Sequence, residues 1–249
     1  MTTDAPRFLN LPDNKRIAYH KSEGAGPGIL FFGGFHSDMT GTKAVALEQW
    51  CQAHQRAFIR FDYSGHGQSS GLFESGTIGE WLDDALAVLD QLTEGPQIIV
   101  GSSMGGWLSL LASVARPERL HALVTLACAT DFTRRLLRPL FNDTQKQQLA
   151  REGRVLLPCD YDDQQPYPIT RQLLEEGDRH CLLDRPIPIH CPVRMFHGLQ
   201  DRDVPWDFSR RTCEQLESRD VTLTLIKQGD HRLSEPADLQ LIMHCLEQL

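Results

Sequence analysis

Five residues, Gly101-Ser102-Ser103-Met104-Gly105, constrain this chain more than any other stretch. They form a G-x-S-x-G directly after the apolar run 97–102, which reads as a buried strand, and directly before 104–115, which reads as a helix. A serine there must sit on a turn too sharp for ordinary backbone angles, and glycines two before and two after it keep neighbouring backbone from colliding. Ser103 then stands at the carboxyl edge of a sheet, with the amino end of the next helix aimed at any negative charge that develops. Ser102 competes for this role, but the glycine spacing selects Ser103.

The rest of the 249 residues supplies the frame that such a turn needs. Short apolar runs alternate with longer amphipathic ones, the pattern of an α/β fold with a mostly parallel central sheet flanked by helices. Strands are predicted over 28–32, 57–62, 97–102, 122–128, 193–196 and 221–226, and helices over 43–53, 78–92, 104–115, 207–216 and 236–246. An edge hairpin is expected between Phe8 and Tyr19, turning near Pro12-Asp13-Asn14. Ser234 reads as the N-cap of the last helix, with Pro236 in its first turn. Between Asp131 and Cys191 no strand is expected; two or three short helices with proline-rich connections read as a small helical cap over 131–191, inserted into a single domain spanning 1–249.

Composition excludes several classes. A hydrophobic fraction of 41% is too high for a largely disordered chain, and 25 basic against 33 acidic side chains give −8, which argues against a nucleic-acid or anionic-membrane partner. No apolar run reaches the roughly 18–20 residues that span a bilayer. The opening MTTDAPRFLN carries charges and a proline where a signal peptide is apolar, and lacks the Arg-rich, acid-poor character of an organelle presequence. Seven scattered cysteines without a C-x-x-C pair fit a reducing environment, and a cytoplasmic location is expected. His180-Cys181, His190-Cys191 and Cys159 cluster in the cap, but adjacent residues point in different directions and the spacing matches no standard zinc site. No metal and no cofactor are expected.

A serine hydroxyl needs a base, and the base an orienting carboxylate; on this architecture the chain order is Ser, acid, His. His231, in Gln228-Gly229-Asp230-His231 just after the strand 221–226, stands where a base belongs, whereas His244 falls within the last helix. The acid lies in His197-Gly198-Leu199-Gln200-Asp201-Arg202-Asp203-Val204-Pro205, where H-G-x-x-D-x-x-V-P selects Asp201 over the turn-former Asp203; Asp131 is a second alternative. Two backbone donors are expected to hold an oxyanion: the N–H of Met104 and that of Phe35, the latter placed by Gly33-Gly34. His36 stays unassigned, and Arg60-Phe61-Asp62-Tyr63-Ser64-Gly65-His66-Gly67-Gln68-Ser69 reads as a structural loop beside the oxyanion turn. Trp107 and Trp206 are candidates for an apolar acyl pocket, with Trp107 equally at home in the core. The stretch 131–154 holds six basic against three acidic residues, which raises recognition of a substrate anion by Arg134 and Arg138.

Taken together, G-G-F, R-F-D-Y-S-G-H-G-x-S, G-S-S-M-G-G, H-G-x-x-D-x-x-V-P and the late G-D-H resemble the α/β-hydrolase superfamily over nearly the whole chain. F-D-Y-S-G-H-G, G-S-S-M-G-G-W, A-R-P-E-R-L and H-C-L-L-D-R-P-I-P-I-H-C-P are similar to one branch, the mitochondrial palmitoyl-protein thioesterases and acyl-glucuronide esterases. The resemblance implies a serine hydrolase of carboxylic esters or acyl thioesters, acting on a small-molecule or acylated substrate through Ser103, Asp201 and His231. The same triad also serves carbon–carbon bond hydrolases of diketone-type substrates, and an idle hydrolase fold that only binds ligands is a third reading.

Overall fold

The computed structural model describes residues 5–158 and 166–249. Eight strands form one sheet in the order β1-β2-β4-β3-β5-β6-β9-β10. β1 (Arg7–Asn10) and β2 (Arg16–Ser22) form the expected antiparallel edge hairpin, Arg7 opposite Tyr19. Its turn places Asp13 and Asn14 at φ 59 and 60, the left-handed region that short polar side chains tolerate best. β3 (Ala25–Phe32), β4 (Arg56–Phe61), β5 (Gln97–Ser102), β6 (Leu120–Leu126), β9 (Val193–Gly198) and β10 (Val221–Ile226) run parallel, with β2 antiparallel against β4.

All six residues of β5 are buried, as expected of a central parallel strand covered on both faces. Alternation divides the core. Leu30, Phe32 and Ile99 face a cluster with Trp81, Val88 and Leu108, while Ile29, Phe31, Ile98 and Val100 face another with Leu47 and Ile242. The helices α1 (Thr42–Ala53) and α8 (Pro236–Glu247) therefore cover one face. The helices α2 (Ile78–Leu92) and α3 (Met104–Ala115) cover the other, with α7 (Asp207–Gln215). Leaving β3, the chain passes outward to β4 and returns to β5 on the opposite side. The order thus reverses between β3 and β5, and ligands of open α/β sheets sit at that reversal, at the strands' carboxyl ends.

The segment between β6 and β9 holds a π-helical turn (Thr133–Leu137), α4 (Arg138–Leu140), α5 (Asp143–Glu152) and α6 (Arg171–Gly177). It is not wholly helical: β7 (Arg154–Leu157) and β8 (Tyr167–Thr170) pair antiparallel, Val155 opposite Ile169. Four-residue strands are too short for an alternating pattern to register in sequence. A capping box at Asn142 and Gln145 opens α5, and Gly153 at φ 74 closes it. Glu176 fastens the segment to the body by accepting the Gly79 N–H at the start of α2 (3.1 Å). Ser234 does not cap α8: the cap is Glu235, and the Ser234 hydroxyl donates to the Arg232 carbonyl (3.0 Å). The residue before a proline is pushed to extended backbone, which makes the position before Pro236 the cap.

The glycines that set the layers apart differ in cost. A Cβ at Gly105 would lie 2.2 Å from the Phe32 carbonyl oxygen, whereas at Gly95, φ +65, it would meet nothing within 4 Å. Gly105→Ala is expected to cost about 3 kcal/mol or more through overpacking against backbone. Gly95→Ala should cost only about 1 kcal/mol, the strain of a left-handed side chain. Urea denaturation midpoints of the two variants compare these directly.

Candidate active site

Ser103 adopts φ 55, ψ −118 between β5 and α3, a conformation paid for by the contacts around it. Its N–H donates to the Leu126 carbonyl (2.9 Å), and its carbonyl accepts the N–H groups of Gly106 (2.9 Å) and Ala129 (3.1 Å). Gly101 and Gly105 are required in space as well as in pattern: a Cβ at Gly101 would lie 2.3 Å from the Gly105 carbonyl oxygen. The loop after β3 comes to the same point, where a Cβ at Gly34 would lie 3.5 Å from that of Ser103.

The other two residues arrive from neighbouring strands. β9 and β10 pair in register, His197 opposite Leu225, so the turn after one meets the loop after the other. A Cβ at Gly198 would stand 2.1 Å from the Gly229 carbonyl oxygen, which shows how closely the two loops pack. His231 Nε2 lies 3.0 Å from Ser103 Oγ, and His231 Nδ1 lies 2.7 Å from Asp201 Oδ2. A carboxylate only accepts, so Nδ1 carries the proton and Nε2 offers its lone pair to the serine hydroxyl. This array can take a proton from Ser103 and stabilise the resulting imidazolium.

Asp201 is buried, which pushes its carboxyl toward the neutral form, yet hydrogen bonds from His197, His231 and Val204 hold it well below the usual carboxylate range. Oδ1 accepts the N–H groups of Asp203 (2.9 Å) and Val204 (2.8 Å). Oδ2 faces His231, and His197 Nε2 at 3.1 Å. His197, fully buried, also has Ser209 Oγ 2.7 Å from Nδ1 and the Val204 carbonyl 2.9 Å from Nε2. His197 begins the very motif that selects Asp201; its place before the acid in the chain excludes it as the base and gives no sign of this contact. Asp203 and His231 bring ligand-type atoms within 4.8 Å of Asp201. The N–H groups of Asp203 and Val204 and the His231 ring already engage both Asp201 oxygens.

Asp131, the other acid considered, is committed elsewhere. Fully buried, it accepts the N–H groups of Leu182 (2.8 Å) and Leu183 (2.9 Å) and pairs with Arg135 (3.2 Å), joining the two ends of the β6–β9 segment.

A cavity of about 760 Å³ opens over Ser103 and His231. The β6–β9 segment contributes Phe132, Leu136, Leu137, Leu140, Leu157 and Ile169 to its lining. Its polar lining includes Asp38, Thr40, Lys43, Arg202, Asp203 and Arg232. Phe35 and Met104 are both at its wall, and neither N–H donates to another described residue. Other expected contacts are not brought here. Trp107 is fully buried, its indole N–H donating to the His180 carbonyl (3.2 Å), and Trp206 is 39% exposed at the start of α7. Arg134 pairs with Asp184 (3.0 Å) and Arg138 with Asp178 (2.7 Å), and neither lines the cavity. Part of the positive excess of 131–154 is answered by carboxylates distant in sequence: Asp184 and Asp178 after it, and Glu74 before it, which pairs with Arg154. Cys159 lies outside the described residues, and the six described cysteines are free thiols.

Lys43, near the start of α1, had no sequence signal, since a lone lysine there reads as solvated. Its ammonium donates to the Arg232 carbonyl, one residue beyond His231. Burial pushes its pKa down to about 8, against the opposing pull of Asp230, Asp201 and Asp238.

Comparison with known proteins decides the family. Residues 28–158 match the Hydrolase_4 family, described as serine aminopeptidase, S33. The mitochondrial palmitoyl-protein thioesterase ABHD10 of Homo sapiens is 43% identical over 97% of this chain and 79% of its own length. The chain belongs to the α/β-hydrolase family and is a serine hydrolase. The solved structure of mouse alpha/beta hydrolase domain-containing protein 10 superposes with a TM-score of 0.91 at 41% identity, covering 98% of both chains. One from Agrobacterium vitis S4 gives 0.92 at 36% identity, covering 98% of this chain and 97% of that one. The expectation of a cytoplasmic location is overturned: the relatives from cattle, orangutan, human, mouse and rat are all named mitochondrial. Cysteine usage reports redox conditions, and reducing conditions are not confined to one compartment. Among the described residues no helix is long and apolar enough to cross a membrane.

The Lys43 amine is expected to titrate near pH 8 in NMR of ¹³C-methylated protein, where an ordinary lysine titrates near 10.5. Between those values the unfolded chain binds more protons than the folded one, so this group makes stability rise with pH. The melting-temperature difference between wild type and Lys43→Met should therefore grow in favour of wild type from pH 7.5 to pH 10.

Proposed function

We propose that the enzyme hydrolyses acyl thioesters or carboxylic esters of apolar acyl groups, with Ser103 as nucleophile, His231 as general base and Asp201 as its orienting acid. The observation that carries the reading is the Ser103–His231–Asp201 chain of contacts, 3.0 and 2.7 Å, at a cavity with apolar lining residues. The name of the relatives, palmitoyl-protein thioesterase, supports the acyl-thioester side of it. Segment 131–191 is read as a lid, with the acyl chain against its leucines and the leaving group toward the polar lining.

His231 Nε2 accepts the Ser103 proton as Oγ attacks the acyl carbonyl. The tetrahedral oxyanion is held by the Phe35 and Met104 N–H groups, with the amino end of α3 adding its dipole. His231, protonated, gives the proton to the departing thiol or alcohol, and Asp201 stabilises the imidazolium meanwhile. Water, deprotonated by the same imidazole, then releases the carboxylic acid and restores the serine. Each step needs only groups on this chain and water.

A fluorophosphonate probe is expected to label wild type on Ser103 and to leave Ser103→Ala unlabelled; equal labelling of both would remove the assignment. Asp201→Asn should lower kcat by about 10⁴-fold, because the amide favours the wrong imidazole tautomer. With a series of p-nitrophenyl esters and acyl-CoA thioesters, kcat/KM should rise with acyl length by up to about fourfold per methylene, the value of burying one CH₂. A flat series would speak against the apolar acyl site.

A further inference from the structure

One buried histidine takes no part in the chemistry above. His66 is only 4% exposed, in the loop after β4, behind the turn that carries the Phe35 N–H. Its two ring nitrogens face backbone groups of opposite kind. Nδ1 lies 3.2 Å from the Ser64 carbonyl, and Nε2 lies 3.3 Å from the His36 N–H. A carbonyl can only accept and an N–H can only donate, so the ring is neutral with its proton on Nδ1 and a bare lone pair on Nε2.

What that lone pair holds is strained. His36 has φ 56, whereas Phe35 before it is at negative φ, and the Ser37 N–H closes the turn onto the Gly34 carbonyl (3.4 Å). A turn with positive φ at its third residue is of the type II class, which favours glycine there. Turning the central peptide over, into the type I arrangement that suits a histidine, would carry the His36 N–H away from its present position. Nothing in His36 itself selects the strained form. The selecting contact is His66 Nε2, while Asp62 Oδ1 holds the chain two residues beyond the turn by accepting the Met39 N–H (2.7 Å).

His66 is in turn immobilised. Its ring meets Phe73 and Trp81 edge-on at 5.0 and 5.2 Å, and the Trp81 indole N–H shares the Ser64 carbonyl (3.0 Å). Phe73 also packs against the Phe35 ring (4.9 Å), which Phe132 and Tyr167 enclose further at 5.6 Å each.

We infer that His66 is a positioning residue: by accepting the His36 N–H at Nε2 as a neutral imidazole, it anchors the Gly34–Ser37 turn one peptide away from the Phe35 N–H and so holds that N–H in place for an oxyanion. The inference rests on the reading of Phe35 as an oxyanion donor. Burial supports it by pushing the imidazole pKa down to about 4, which leaves the Nε2 lone pair free at neutral pH.

The test compares His66→Leu, which fills the space without an acceptor, with His66→Gln, whose Oε1 can accept in place of Nε2. With p-nitrophenyl ester as substrate, His66→Leu should lower kcat by about 10–100-fold with KM within about threefold of wild type, the mark of a lost transition-state contact. His66→Gln should recover most of that kcat. Equal kcat in His66→Leu and wild type, or equal loss in Leu and Gln variants of matched melting temperature, would overturn the inference. Should the leucine variant not fold, ¹⁵N NMR of the wild-type imidazole decides: Nδ1-protonated His66 upholds the inference, and an Nε2–H tautomer, unable to accept from His36, refutes it. The NMR result is independent of activity. A wild type with no esterase or thioesterase activity would remove the proposed function while leaving the hydrogen bond itself measurable.

Discussion

The tight turn at Ser103 is the constraint on which the rest of the structure depends. Its positive φ is tolerable only because neighbouring strands hold it, through the Leu126 carbonyl and the Ala129 N–H from the β6 side. Its sharpness in turn brings α3 so close to β3 that the Phe32 carbonyl occupies the space of any side chain at position 105. Because β3, β5 and β6 are adjacent and parallel, their carboxyl ends meet at one point, and the serine stands there.

Charge is handled by enclosure. Asp201 is withdrawn from water but surrounded by four N–H donors, two from the backbone and two from imidazoles, which offsets the desolvation of the carboxylate. Asp131 follows the same rule for a different end: a buried carboxylate at the root of the β6–β9 segment, satisfied by two backbone N–H groups from that segment's return and by Arg135. Arg134, Arg135 and Arg138 answer carboxylates within the segment, Asp184 and Asp178, while Arg154 reaches Glu74 on the body of the domain.

Much of this was legible from residues alone, for a physical reason. Buried parallel strands are short continuous apolar runs, and the helices between them carry their own periodicity, so the sheet and α1, α2, α3, α7 and α8 were readable to within a few residues. The G-x-S-x-G, H-G-x-x-D and G-D-H motifs were readable because steric and hydrogen-bonding demands at each turn leave few residue types. β7 and β8 escaped because four residues hold too little pattern. Arg134 and Arg138 misled because counting charge along 131–154 omits Asp178 and Asp184. His197, His66 and Lys43 look like ordinary polar residues until their neighbours are known.

The sequence by itself determined the fold class, the order of serine, acid and base, and the positions where only glycine fits, since these are set by contacts between residues close in the chain or by strand periodicity. The tertiary structure decided which of several acids faces His231, which cations are already paired, and which histidine braces the turn before the serine. Those outcomes depend on which loop ends the parallel sheet brings together, such as Gly198 against Gly229 or His36 against His66. No local rule encodes such contacts, because the partners are separated by some thirty residues and meet only when the sheet has formed.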